Sequence, residues 1–412
     1  MPVIPVSSLQ PGMFISLEKL GWMEHPFVLN RFRIADMSQI QTLHRMGLAT
    51  VEWDPERSSS RPLQESAPLE SDEDLASGAL KALLADKQDR VLRVREKRES
   101  LARCARLFEQ ESGSIRQILG ELGPRPNDAY SQGRVLVHRL VGGLIKASSV
   151  AVHLVNLKKS ESGLPNHAMN VMVLSLLIGK TIGLDEEAMR ELGLGAMLHD
   201  AGLGDIPSRV VRNPNRTVAE EQLYRTHIGR GLNAVAAMKN LPSGVKLVIA
   251  CHHEHWDGTG YPNGVADVKV PRLARIVALA NRYDNICNPL DAKKALRPAE
   301  AVAHLYKHEG SRFDPDILGA FIKAVGVYPP GTFILLEDGS YALVIESNSK
   351  NLLRPVLMLY DASVPRNEAL LLDLAETDMK IEKSLVPDDI PREVVEYLAP
   401  QGRVDFYVEG QP

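Results

Sequence analysis

Short apolar runs separated by turn residues mark the opening stretch of the chain, residues 1–54. Val3–Val6, Met13–Ile15, Phe27–Leu29 and Thr50–Trp53 read as strands, and Ser38–Met46 as a short helix with Ile40, Leu43 and Met46 on one face. Residues 55–74, rich in Ser, Pro and Glu, read as a linker. From Leu75 the apolar rhythm becomes helical within a charged background, predicting a helical connector over 75–125. A coiled-coil homodimer through it is open, although Lys87 and Arg98 interrupt the seam. Over 126–325 apolar positions recur at helical spacing between Gly and Pro breaks, which predicts an all-α domain. Beyond it, Thr332–Leu336, the turn Glu337–Ser340 and Tyr341–Ile345 form a hairpin pattern, with Val356–Tyr360 as a third strand. The expected fold is therefore multidomain: a small β-rich α+β domain, an all-α body, and a small β-rich appendage over 326–412.

Composition narrows the function classes. At 412 residues the chain exceeds what one core organises, in keeping with several domains. A net charge of −4 argues against a general DNA-binding face, but does not bar a small phosphate ligand held locally. The cysteines Cys104, Cys251 and Cys287 form no CxxC pair, so neither a disulfide framework nor a zinc ribbon is expected. That usage fits a reducing cytoplasm. The most apolar segment, Ala168–Leu184, is broken by Asn170, Ser175 and Lys180, and the first residues lack a signal-peptide pattern. A cytoplasmic chain without a membrane span is the expectation.

Six of the twelve histidines lie between His167 and His255. His25 and His44 stand apart and read as packing or surface residues. His167 heads an apolar stripe through Val171, Leu174 and Ile178, as either a satisfied core histidine or a ligand. His199-Asp200 ends an apolar helix, where a buried imidazole and carboxylate are costly unless compensated. A divalent metal would compensate them, and an Asp can bridge two ions with its two oxygens. His227 follows, and then an apolar run delivers His252-His253 into a glycine-rich loop.

His199-Asp200 with Gly202, then His227, then His252-His253-Glu254-His255-Trp256-Asp257-Gly258-Thr259-Gly260-Tyr261-Pro262-Asn263-Gly264, then Ile276–Asp284, resembles the HD-GYP branch of the HD hydrolases. Residues before about 75 look like a poorly characterised domain that often precedes such modules. The resemblance implies metal ligands at His167, His199, Asp200, His227, His252 and His253, with Asp200 bridging at the centre of catalysis. Asn281 holds the place of the family's last ligand, an Asp, and would bring no charge. It further implies substrate contacts at Gly260, Tyr261, Pro262 and Lys293, and two divalent ions, iron or manganese. The implied substrate is cyclic di-GMP, opened by a metal-held hydroxide to the linear dinucleotide and in some members on to GMP. Diguanylate cyclase-type proteins are the implied partners of the GYP loop.

Departures from the family pattern qualify these expectations. Leu203 and Leu290 stand where the family has phosphate-facing cations, and Gly163 where three-metal members have a Glu, so two ions are expected. Asp284, one helical turn beyond Asn281, is expected to be structural, with an acceptor role beside the ligands as the alternative. Two other readings stay open: a dinucleotide-sensing or docking module with little turnover, and an HD hydrolase of another nucleotide.

Overall fold

A computed structural model of the chain describes residues 1–20, 25–27, 30–63, 73–146, 149–155, 163–348, 351–362, 364, 366, 369–398 and 405–411. These form two compact units, Met1–Glu99 with Leu336–Ser340, and Ser100–Leu335 with Tyr341–Pro412.

The first unit is the β-rich α+β fold that the alternation predicts. Its four-stranded antiparallel sheet runs Val3–Pro5, Thr50–Asp54, Phe14–Ser16, Arg31–Arg33. The helix Met37–Arg45 starts where the Asp36 carboxylate accepts from the Ser38 and Gln39 amides. It buries Ile40 and Leu43 among Val6, Met13, Ile15 and Ile34. His25 is a packing histidine, buried with its Nε2 on the Asn30 amide at 2.9 Å. Of the strand expected at Phe27–Leu29, Val28 and Leu29 lie outside the described residues; the strand found nearby is Arg31–Arg33.

The serine-rich segment is not a free linker over its first part. The Phe14 amide donates to Ser58 Oγ at 2.8 Å, Ser59 N to Gly12 O at 2.9 Å, and Leu63 N to Ser8 O at 2.8 Å. Short hydroxyl side chains reach nearby backbone groups, so a composition typical of linkers here lies against the sheet. Residues 64–72 of the expected linker lie outside the described residues.

A helix of 49 residues, Glu73–Glu121, follows. The apolar positions Leu80, Leu84, Val91 and Val94, along which a coiled coil would run, are side chains outside the described set. From Cys104 onward the stripe Cys104, Phe108, Ile115, Ile118 is buried in the core of the second unit. At the centre of that core stands the helix Leu164–Thr181, buried without a break from Ala168 to Gly179. A helix apolar on every side has to be enclosed, and the helices Glu186–Leu198, Arg272–Cys287 and Pro315–Val325 pack around it.

One segment of the expected all-α span is a strand. Ser149–Val155, with three valines in seven residues, pairs antiparallel with Asp405–Gln411 over the full register Ser149↔Gln411 to Val155↔Asp405. A short apolar run carries no period that separates strand from buried helix, so the pattern of its neighbours misled. The seven-stranded sheet also contains the expected hairpin, Phe333–Leu336 with Tyr341–Asn348, and the strand Val356–Leu359. The last strand of the β-rich C-terminal region thus pairs inside the helical region's own sequence. Among the described residues no helix is long and apolar enough to cross a membrane.

Candidate metal centre

Five histidines and an aspartate are delivered by helix ends. His167 lies in the first turn of Leu164–Thr181, and His199 is the C-cap of Glu186–Leu198 with Asp200 next to it. His227 opens the helix His227–Val235, and His252 is the C-cap of Ser243–Cys251 with His253 following. A helix C-terminus leaves carbonyls without amide partners, and the rings use them. His199 Nδ1 bonds Ala196 O at 2.7 Å and His252 Nδ1 bonds Ile249 O at 3.0 Å. His227 Nδ1 bonds Tyr224 O at 2.8 Å, in the last turn of the preceding helix Val218–Arg225.

A carbonyl only accepts, so each of these rings carries its proton on Nδ1. The Nε2 lone pairs then face inward, the orientation that metal-binding imidazoles need. His167 reaches the same state differently, with Nδ1 donating to Asp284 Oδ2 at 2.6 Å. Asp284, expected to be structural, is therefore the acceptor that orients a candidate ligand. Its position one helical turn beyond Asn281 on Arg272–Cys287 makes this reach possible.

The Asp200 carboxylate sits between two donor groups. Its Oδ2 lies 3.7 Å from His167 Nε2 and 3.4 Å from His199 Nε2. Its Oδ1 lies 3.5 Å from both His227 Nε2 and His252 Nε2. Ligand atoms of Asp200, His227, His252 and His253 lie within 4.8 Å of one another, as do those of His167, His199 and Asp200. Two three- or four-donor sets share one carboxylate.

These residues fit a bound cation better than they fit each other. His199 Nε2, Asp200 Oδ1 and His253 Nε2 are buried without a hydrogen-bond partner, a costly state for three converging polar atoms. His227 Nε2 and His252 Nε2 face each other at 3.3 Å with both Nδ1 protons already committed, so two lone pairs oppose each other in the neutral rings. Burial pushes His252 down to about 4, and burial followed by the charge of His252 lowers His253 as well. Burial would raise the Asp200 carboxyl, but the imidazoles of His199 and His252 beside it hold it well below the usual range. A buried carboxylate ringed by imidazole Nε2 atoms is a divalent-metal donor set.

Two glycines make the geometry possible. A Cβ on Gly202 would stand 2.0 Å from His227 O and 2.4 Å from Gly231 N, so only glycine lets the HD turn meet the helix of His227. A Cβ on Gly260 would stand 2.4 Å from His255 N and 2.5 Å from His253 O, closing the GYP loop onto the histidine pair. The buried Glu254 carboxylate pins that loop by accepting from Asn263 N at 2.8 Å and Val265 N at 3.0 Å. Glu254 carries a role that the motif string contains but that spacing alone does not reveal.

The remaining expected site residues divide. Tyr261 stacks on His253 with centroids 4.5 Å apart, and Arg225 lies 4.4 Å over the Tyr261 ring. The ring is thus braced by His253 and Arg225, and its hydroxyl is a group that could meet a ligand. Pro262 is exposed and follows a cis Tyr261–Pro262 bond. Asn281 is buried, and its Oδ1 accepts from Asn285 at 2.6 Å; ligation would use the second lone pair of that oxygen. Lys293 is exposed on the short turn Ala292–Lys294 and is not drawn into the hydrogen bonds of the histidine cluster. Leu290 is exposed, and Leu203 is buried in a small apolar group with Ile206 and Val210, beside Leu223 and Tyr224.

Histidines and an aspartate converging from the ends of packed helices form a donor set able to hold divalent metal ions. The family model for the HD domain matches residues 149–317, and the model for a domain of unknown function, DUF3391, matches residues 3–131. The matched span 149–317 contains all five converging histidines and Asp200, so the residues of the candidate metal centre lie in the part of the chain that is similar to HD domains. It is 29% identical over 364 residues to the cyclic di-GMP phosphodiesterase PA4108 of Pseudomonas aeruginosa, covering 87% of this chain and 84% of that protein. It is 29% identical to the cyclic di-GMP phosphodiesterase response regulator RpfG of Xanthomonas campestris pv. campestris, covering 61% of this chain and 65% of that one. The 3'3'-cGAMP-specific phosphodiesterase 2 of Vibrio cholerae is 27% identical over 37% of this chain and 30% of its own length.

Proposed function

We propose that this chain is a metal-dependent phosphodiesterase that opens cyclic di-GMP to the linear dinucleotide. The observation that carries the reading is the shared carboxylate, with Asp200 Oδ2 toward His167 and His199 and Oδ1 toward His227 and His252. His167, His199 and Asp200 would hold one ion, and Asp200, His227, His252 and His253 a second. Two such ions, iron or manganese, would neutralise charge on the phosphoryl oxygens and make a water nucleophilic at neutral pH. The protein's own share is positional. The Nδ1 bonds fix the orientation of each imidazole with Nε2 turned inward, and Gly260 and Glu254 hold the loop close over the cluster. Burial, then the nearby Tyr224, raises the Tyr261 phenol, so it stays protonated as a hydrogen-bond donor at the rim. The similar phosphodiesterases named for cyclic di-GMP support the choice of substrate.

The test is direct: load the full chain with Mn²⁺ or Fe²⁺ under anaerobic conditions and incubate it with cyclic di-GMP and, separately, with 3'3'-cGAMP. Linear pGpG as the main product supports the proposal. Turnover of cGAMP alone reassigns the substrate, and both dinucleotides left uncut beside a demonstrated two-ion complement overturn the enzymatic reading.

A second reading, a dinucleotide-sensing or docking module, draws on Leu203. The position that the family gives to a phosphate-facing lysine is here a wall of an apolar group, and Lys293 is exposed. Tight binding of cyclic di-GMP without hydrolysis is the outcome that would favour it.

A further inference from the structure

One line of buried hydrogen bonds leaves the cluster and ends on the C-terminal strand. His167 Nδ1 donates to Asp284 Oδ2 at 2.6 Å. Asp284 Oδ1 accepts from Asn170 Nδ2 at 2.7 Å and from Asn288 Nδ2 at 2.8 Å. Asn170 Nδ2 also donates to Asp405 Oδ1 at 3.0 Å, while Asn170 Oδ1 accepts from the Phe406 amide at 3.1 Å. Asn170, Asp284 and Asp405 are all at most 1% exposed.

We infer that the strand Asp405–Gln411 sets the orientation of His167 through Asn170 and Asp284, which makes Asn170 and Asp405 positioning residues for metal binding. The inference rests on the metal reading above. Its logic lies in which atoms can donate. A backbone N–H only donates, so the Phe406 amide fixes which end of the Asn170 amide is oxygen. The other end, with two N–H groups, then meets two carboxylates, Asp284 and Asp405, one hydrogen for each. With Oδ1 of Asp284 engaged, its Oδ2 receives the His167 Nδ1 proton. That places the His167 lone pair on Nε2, 3.7 Å from Asp200 Oδ2.

The strand is itself well held. It pairs along seven residues with Ser149–Val155, and Phe406 and Tyr407 are buried in the main core. Phe406 also lies 5.9 Å from the ring of Tyr283, the neighbour of Asp284. His199, His227 and His252 depend instead on backbone carbonyls three residues before them. Loss of the strand's grip should therefore weaken one ion and spare the other.

Stepwise Co²⁺ binding to the metal-free full chain, followed by visible absorption, tests this. Wild type is expected to bind two ions. Asn170→Leu, of similar volume but without the amide, should weaken one of them about 10–100-fold and leave the other unchanged. Asp405→Leu should do the same, whereas Asp405→Asn, which keeps an acceptor oxygen, should return affinity to near wild type. If Asn170→Leu does not fold, the Asp405→Leu and Asp405→Asn pair decides. Wild-type affinity at both sites in the Leu variants, or equal weakening of both ions, overturns the relay alone. A wild-type chain that binds fewer than two ions overturns the two-ion reading and the relay with it.

Discussion

The two sides of Asp200 are supported in different ways. On the Oδ1 side, His227 and His252 are oriented by local carbonyls, and His253 is braced by Tyr261 from a loop that Glu254 pins. On the Oδ2 side, His199 uses a local carbonyl, but His167 depends on Asp284, 117 residues away in sequence. A ligand oriented by its own helix is insensitive to events elsewhere. A ligand oriented across the fold inherits the stability of every group in between. The Oδ2 side is thus where distant parts of the chain can act on the centre, and the Oδ1 side is where the glycine-rich loop can.

The widest break in this comparison removes the shared group. Asp200→Asn takes away the charge that both sides use, and turnover of cyclic di-GMP should fall about 10³-fold with loss of both ions. Retention of two ions by metal analysis would show that the carboxylate does not join the two sites. Gly202→Ala presses directly on the Oδ1 side. The added Cβ, 2.0 Å from His227 O, must displace the helix His227–Val235, at about 2–3 kcal/mol. The expected outcome is one ion lost and one retained, with a lower unfolding midpoint; an unchanged midpoint and full metal content would contradict the close approach. Leu203→Lys sharpens the same point. The new ammonium would enter an apolar group with Ile206 and Val210, so about 1–3 kcal/mol of lost stability is expected and no gain in rate. A rate increase would mean that the side chain turns out toward the substrate.

The sequence showed the Oδ1 side more fully than the Oδ2 side, for a physical reason. His252, His253, Gly258, Gly260 and Gly264 are close in the chain, so local geometry constrains them together and leaves a continuous motif. His199-Asp200 could be read because a polar pair ending an apolar helix needs compensation. Asp284 could be named as a possible acceptor but not as the partner of His167, since nothing in helical spacing announces a partner on another helix. The strand Ser149–Val155 was hidden for a related reason: its pairing with Asp405–Gln411 joins segments whose first and last paired residues are more than two hundred positions apart. Leu203 could be recognised as a departure, but only its packing beside Tyr224 shows why a lysine there would be a burden. The serines at 58–60 looked like linker composition, because hydrogen bonding to a sheet leaves no trace in residue type.

The smallest expected effect concerns the outer anchor of the helix that carries Asp284. Arg282, two residues before it, bonds the Glu309 carboxylate through Nε at 2.8 Å and also through Nη2, and His304 Nε2 adds a bond at 3.1 Å. Burial alone would raise the Glu309 carboxyl, but the Arg282 hydrogen bond and charge, with His304 and Arg312, bring it down to about 2 from 4.5. A carboxyl depressed in the folded state gives stability that is complete above its unfolded value of 4.5 and is lost as pH falls toward about 2. The Arg282 side chain is 42% exposed, so screening leaves about 1–2 kcal/mol of that contribution. Glu309→Gln should therefore lower the denaturant midpoint at pH 7, and the gap between variant and wild type should narrow at pH 3. An equal gap at both pH values would show that the ion pair does not anchor this helix. A narrowing gap accompanied by unchanged Co²⁺ binding at pH 7 would locate the support of His167 in the inner chain of Asp284, Asn170 and Asp405, with the outer ion pair contributing stability alone.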